Sequence, residues 1–164
     1  SDISQIEIIK LEKKKLIDQG LFKRTDNDGA TEFTYTRFFV PYLNNYKGHA
    51  IFVDSDFLWE CDILDLFKKY TNSNSAVSCV KHVYTNCNGK KKMDGQAQEW
   101  YPKKNWSSLM IFNCEHSNVV KKLTLEAVNT KTPKWLHRME WCEEEEILEI
   151  PKDYNYLVDK YSKQ

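Results

Sequence analysis

Ala50-Ile51-Phe52-Val53-Asp54-Ser55-Asp56-Phe57-Leu58-Trp59 is the stretch on which the reading of this chain turns. Its first four residues form an apolar run closed by polar ones, the mark of a buried strand. Two carboxylates one residue apart follow at once. In an open α/β sheet the ligand crevice lies beyond the carboxyl ends of the strands, so Asp54 and Asp56 fall where such folds do their chemistry. Residues i and i+2 on extended backbone share a face, and carboxylates so placed suit a hard divalent cation that also bridges phosphates. The pair can also be read as a helix cap and a turn residue. Against that, Phe57 and Trp59 stand where a turn favours small polar side chains, and the next helix opens only at Asp62.

Outward from this stretch, Ile6 to Leu11 reads as a strand, and Lys13 to Gln19 as a short helix stopped by Gly20. Asp26-Asn27-Asp28-Gly29 is turn chemistry. Thr31 can cap a helix in which Phe33, Thr36, Arg37 and Val40 follow at helical spacing. Downstream come a helix over Ile63 to Tyr70 and a strand over Ala76 to Val80. Val83 to Trp106 is poor in aliphatic residues and has the length of a lid or binding loop. Ser107 to Phe112 reads as a strand, and helical patterns return at Val119 to Val128 and Trp141 to Leu148. Strands interleaved with helices predict an α/β fold, a mostly parallel sheet flanked by helices. With no repeat and no second domain, residues 1–164 read as a single domain.

The charge balance narrows the function. There are 24 basic and 24 acidic side chains, so the basic excess expected of a general nucleic-acid binder is missing. The lysine clusters at 13–15, 90–92 and 103–104 read as solvated faces. No apolar run reaches the roughly eighteen residues that span a bilayer, and the first residues do not form a secretory signal. The five cysteines are odd in number and contain no Cys-x-x-Cys pair. That pattern favours a reducing compartment and buried, inert thiols.

Several segments taken in order carry a family resemblance. Thr31-Glu32-Phe33-Thr34-Tyr35-Thr36-Arg37-Phe38-Phe39-Val40-Pro41-Tyr42-Leu43 is followed by the strand and its Asp-x-Asp. Then come Lys91-Lys92-Met93-Asp94-Gly95-Gln96, Tyr101 to Ser108, Leu136-His137-Arg138 and Glu144-Glu145-Glu146-Ile147, with Pro151 and Asn155 beyond. This series, over about residues 6 to 158, resembles nucleotide-sugar glycosyltransferases of the GT-A (Rossmann-like) fold. The likeness is to a bacterial and large-virus group related to the retaining family 8 enzymes.

The resemblance implies a role for each matching residue. Asp54 and Asp56 would hold Mn²⁺ or Mg²⁺ against the donor diphosphate, with Ser55 between them in the donor site. Arg37 would reach the donor, and Asn105, Ser107 and Ser108 would meet sugar hydroxyls. Asp94 and Gln96 would meet the sugar or the acceptor from the long loop, although exposed loop polars fit them as well. Lys81 and His82 end a strand on the side of the site. Glu144 and Glu145 match an acidic catalytic motif near the anomeric carbon, where the same run also reads as a solvated helix start. By the same comparison the chain lacks the family's first strand and its C-terminal metal-binding histidine segment, so it reads as a partial domain. His137 lies too far upstream to stand in for that histidine.

The implied activity is metal-dependent transfer of a sugar, with retention, from a nucleoside diphosphate donor, UDP foremost, to a glycan or glycoprotein. The implied place is the cytoplasm of a bacterium or virus-infected cell, free or membrane-peripheral. Two rival readings stand beside it. A haloacid dehalogenase-type phosphatase also sets Asp-x-Asp after an apolar strand, with Asp54 as nucleophile. A non-catalytic sugar- or nucleotide-binding module would draw on the nine tyrosines and five tryptophans as stacking platforms.

Overall fold

A computed structural model describes residues 6–25, 34–83, 103 and 105–157. Among the described residues four strands make one sheet: β1 (His49–Val53), β2 (Val77–Cys79), β3 (Leu109–Asn113) and β4 (Ile147–Glu149). Their spatial order is β1-β3-β2-β4. β3 runs antiparallel to β1 and to β2, while β2 and β4 are parallel. The α/β class holds, but the sheet is mixed where a mostly parallel one was expected. Three strands point the same way, and β3 returns between two of them. Interleaved helices imply parallel neighbours, and the sequence shows such a helical pattern between β1 and β2 but none between β2 and β3, so the expectation was carried too far.

Alternating side chains divide the sheet into two faces. Phe52, Met110, Phe112, Val77, Cys79 and Ile147 enter the larger core. It is covered by α1 (Lys13–Asp18), the 3₁₀ turn Thr36–Phe39 with α2 (Val40–Leu43), and the helical region after β3. Ile51, Val53, Leu109, Ile111 and Leu148 face the other way, under α3 (Ile63–Tyr70), which buries Leu66 and Tyr70. Phe57 and Trp59 pack at the edge of this second core with ring centroids 5.7 Å apart. That packing explains why aromatics follow the acidic pair in a turn.

α3 begins where the sequence placed it. The Asp62 carboxylate accepts the Leu64 amide at 2.8 Å and satisfies an otherwise orphaned donor. Asp62→Ala is expected to lower the unfolding free energy by about 1 kcal/mol, read as a shift in urea midpoint at constant slope.

Other expectations need correction. Ile6 to Leu11 makes no strand; Ile8 and Ile9 are 87% and 72% exposed, and no ladder joins the segment to the other described residues. The Thr31 cap lies outside the described residues, and the turn after it is 3₁₀ before it becomes α-helical. Val119 to Val128 is two helices, α4 (Ser117–Lys122) and α5 (Leu125–Thr130). Thr124 breaks the run because its hydroxyl accepts the Ala127 amide at 3.1 Å and starts a new helix. Trp141 to Leu148 is not a helix. Glu144–Glu146 is a 3₁₀ turn, and β4 follows it, tied to the sheet by the Ala76 amide on the Glu146 carbonyl at 2.9 Å. Glu143 and Glu146 cap the turn reciprocally, and the chain then leaves it to pair Ile147 with Val77. α6 (Pro133–His137), capped by Thr132, was not anticipated.

Among the described cysteines, Cys79, Cys114 and Cys142 are buried free thiols, and Cys61 is exposed. Burial pushes the first three up to about 12, 11 and 12, so they stay protonated and inert as expected.

Candidate functional site

Because β1, β2 and β4 share a direction and β3 opposes them, three carboxyl ends and one amino end lie along a single edge. Asp54 leaves β1 there, Lys81 and His82 follow β2, and Ser107 and Ser108 precede β3. The Asp54 amide donates to the Ser108 carbonyl at 3.0 Å, extending the β1–β3 pairing to the site itself. A turn closes from the Asp54 carbonyl to the Phe57 amide at 3.3 Å and leaves Ser55 and Asp56 exposed.

Arg37 arrives from the 3₁₀ turn Thr36–Phe39 and is buried, as its spacing with Phe33 and Val40 implied, although Phe33 is outside the described residues. Its Nη2 lies 2.9 Å from Asp54 Oδ1, with side chains 9% and 29% exposed. Nη1 donates to the Ser107 carbonyl at 2.7 Å and to Ser107 Oγ at 3.3 Å. The guanidinium sits over the Phe52 ring, 5.1 Å from its centroid. Burial raises the Asp54 carboxyl above its ordinary value; Arg37 opposes that rise and the nearby Asp56 charge adds to it.

Ser107 Oγ is 2.8 Å from His137 Nδ1, and His137 Nε2 is 3.0 Å from the Thr34 carbonyl. A carbonyl only accepts, so Nε2 carries the proton and Nδ1 accepts from the Ser107 hydroxyl. His137 was passed over because it stands thirty positions from Ser107 in the sequence; only the packing of α6 brings it here. Ser108 Oγ donates to the Asn105 carbonyl at 2.8 Å and receives Asn155 Nδ2 at 2.7 Å. Both serine hydroxyls thus have internal partners. Asn105 takes the left-handed conformation, φ 64°, which asparagine tolerates better than most residues.

The second half of the edge is ionic. Lys103 Nζ lies 2.6 Å and Lys81 Nζ 3.7 Å from the Glu144 carboxylate, and both ammonium groups flank the Trp106 ring. The Lys103 hydrogen bond, aided by the Lys81 charge, holds the Glu144 carboxyl below its ordinary value. Glu145, paired with it in the sequence reading, is exposed. Asp94 and Gln96 lie outside the described residues.

Among the described residues no group of three or more His, Cys, Asp or Glu side chains gathers to hold a metal. A cation at Asp54 and Asp56 would therefore take two carboxylates from these residues and its remaining ligands from phosphate oxygens and water. That donor set fits Mg²⁺, which is commonly held by one or two carboxylates plus substrate phosphates.

His82 and His137 are both held down to about 4, His82 by burial and His137 by burial and the Arg37 charge. In the unfolded chain they return to about 6.5 and bind protons first as pH falls. Their contribution to stability is full above pH 6.5 and is lost as pH falls toward 4. Urea unfolding at pH 7 and pH 5 should differ by about 1–2 kcal/mol for each imidazole. A flat profile over that window would contradict the neutral assignment.

Comparison with known proteins adds one relative. The chain is 42% identical over 153 residues to Protein CDI of Arabidopsis thaliana, an alignment covering 93% of this chain and 58% of that protein. The chain therefore spans less than two thirds of the curated relative that it matches. No family model and no solved structure matches it. Among the described residues, no helix is long and apolar enough to cross a membrane.

Proposed function

We propose that this chain forms the donor site of a metal-dependent glycosyltransferase of the GT-A fold. It would move a sugar, with retention, from a nucleoside diphosphate sugar, UDP foremost, to a glycan or glycoprotein. The observation that carries the reading is the pairing of Asp54 with buried Arg37 at the carboxyl end of β1, with Asp56 exposed two residues on. Arg37 takes Oδ1 and fixes the direction of the Asp54 carboxylate, while the Asp56 charge makes the pair favour a cation. Bound Mn²⁺ or Mg²⁺ would offset the charge that builds on a leaving diphosphate.

The rest of the edge supports this reading. Lys81 and Lys103 add positive charge beside the aspartates' edge, where a diphosphate needs it. Of the two candidate glutamates, Glu144 is the one that pairs with Lys81 and Lys103 at this edge, and a carboxylate there would stabilise an oxocarbenium-like centre. Ser107 and Ser108, with their hydroxyls engaged, serve this site as its frame.

The test is calorimetric titration of UDP with and without Mn²⁺, on the chain and on an Asp54→Asn/Asp56→Asn variant. Mn²⁺-dependent binding that the variant loses by about a hundredfold or more supports the donor site. Binding that is independent of metal and intact in the variant would point to a nucleotide-binding module. Release of phosphate from an aryl phosphate, lost in Asp54→Asn, would favour the phosphatase.

A further inference from the structure

We propose that His137, acting through Ser107, is the residue that holds Arg37 in the orientation that presents Asp54. It rests on the donor-site reading for its function, but not for its geometry. The hydrogen bonds run in one direction. Nε2–H of His137 is committed to the Thr34 carbonyl at 3.0 Å, so Nδ1 is left with a lone pair, and the Ser107 hydroxyl donates to it at 2.8 Å. With its proton turned toward His137, Ser107 Oγ has only lone pairs to offer on its other side. There it meets Arg37 Nη1 at 3.3 Å, next to the 2.7 Å bond from Nη1 to the Ser107 carbonyl. The opposite arm of the same planar fork, Nη2, then falls 2.9 Å from Asp54 Oδ1.

The imidazole is itself pinned. The Phe38 ring meets it edge-on at 5.1 Å between centroids, and Phe38 is fully buried. A neutral ring is required for this polarity. Protonated Nδ1 would compete with Arg37 for the Ser107 lone pairs and place a second cation beside the guanidinium. The depressed value of His137 agrees with that requirement. The consequence for the site is orientation. A guanidinium fixed at one end by Ser107 can hold the carboxylate in a single rotamer, ready for a cation, without spending ligand binding energy on ordering it.

Two conservative replacements separate this role from simple packing. In His137→Asn the side-chain oxygen stands near the position of Nδ1 and keeps an acceptor for Ser107. In His137→Gln the amide reaches the position of Nε2, keeping the donor to Thr34 but losing that acceptor. The first readout needs no ligand: ¹⁵N NMR of the Arg37 guanidinium, where a pinned fork gives separate, exchange-protected Nη signals. We expect separate signals in the native chain and in His137→Asn, and merged signals in His137→Gln and in Ser107→Ala. The second readout is Mn²⁺-dependent UDP affinity, expected to fall about tenfold in His137→Gln and Ser107→Ala and to stay within about twofold in His137→Asn.

Arg37 signals that remain separate in His137→Gln would overturn the inference. So would signals that merge in both histidine variants, because packing rather than the Nδ1 acceptor would then be responsible. If the native chain binds no UDP, the donor-site reading fails while the guanidinium signals still decide the positioning role.

Discussion

Replacing Arg37 with alanine is expected to lower the unfolding free energy by about 3 kcal/mol, the scale of breaking a buried ion pair by removing one partner. The arginine is buried, and its two arms satisfy the Asp54 carboxylate and the Ser107 carbonyl. Without it, a carboxylate already strained by burial loses its cation and a buried carbonyl loses a donor. The Phe52 face loses its guanidinium as well. A double-mutant cycle of Arg37→Met and Asp54→Asn separates the ion pair from the packing. The double variant should be more stable than the two single losses predict, because neither charge is then stranded. Urea unfolding measures all four corners. A loss below about 1 kcal/mol in Arg37→Ala would mean the pair behaves as a solvated surface contact.

Trp141→Ala should cost about 3–5 kcal/mol, the usual range for emptying a buried aromatic site. Trp141 is fully buried, stacks on Phe112 of β3 with centroids 6.1 Å apart, and donates its Nε1–H to the Leu136 carbonyl at 3.2 Å. It thereby locks α6 onto the sheet one residue before His137. Trp141→Phe keeps most of the apolar contact and removes the indole donor, while the Met139 amide still donates to that carbonyl at 3.1 Å, so a loss of about 1 kcal/mol is expected. The same urea series reads both. If the phenylalanine variant unfolds as easily as the alanine one, the hydrogen bond outweighs the volume of the ring.

Elements whose cause is local were legible in the chain. The apolar run ending in Asp54 is β1, and the Asp62 cap with its amphipathic octad is α3. The burial of Arg37 followed from its spacing, and the inert cysteines from theirs. Elements decided by distant partners were not. Trp141 to Leu148 looks helical alone, yet its end joins β4 because Ile147 pairs with Val77. Ile6 to Leu11 looks like a strand alone and pairs with nothing among the described residues. Propensity is a weak prior, and pairing overrides it.

The site divides along the same line. Asp54 and Asp56 announce themselves because their two-residue spacing and the strand before them are properties of ten consecutive residues. His137, Lys103 and Asn155 carry no such local sign. Each gains its place from a hydrogen bond or ion pair to a residue at least thirty positions away, and those partners meet only when β3 has threaded back between β1 and β2. The sequence alone determined the acidic edge, since periodicity and backbone geometry act between neighbours. The tertiary structure alone decided what steadies that edge, because hydrogen bonds and charges act through space and take no account of separation along the chain.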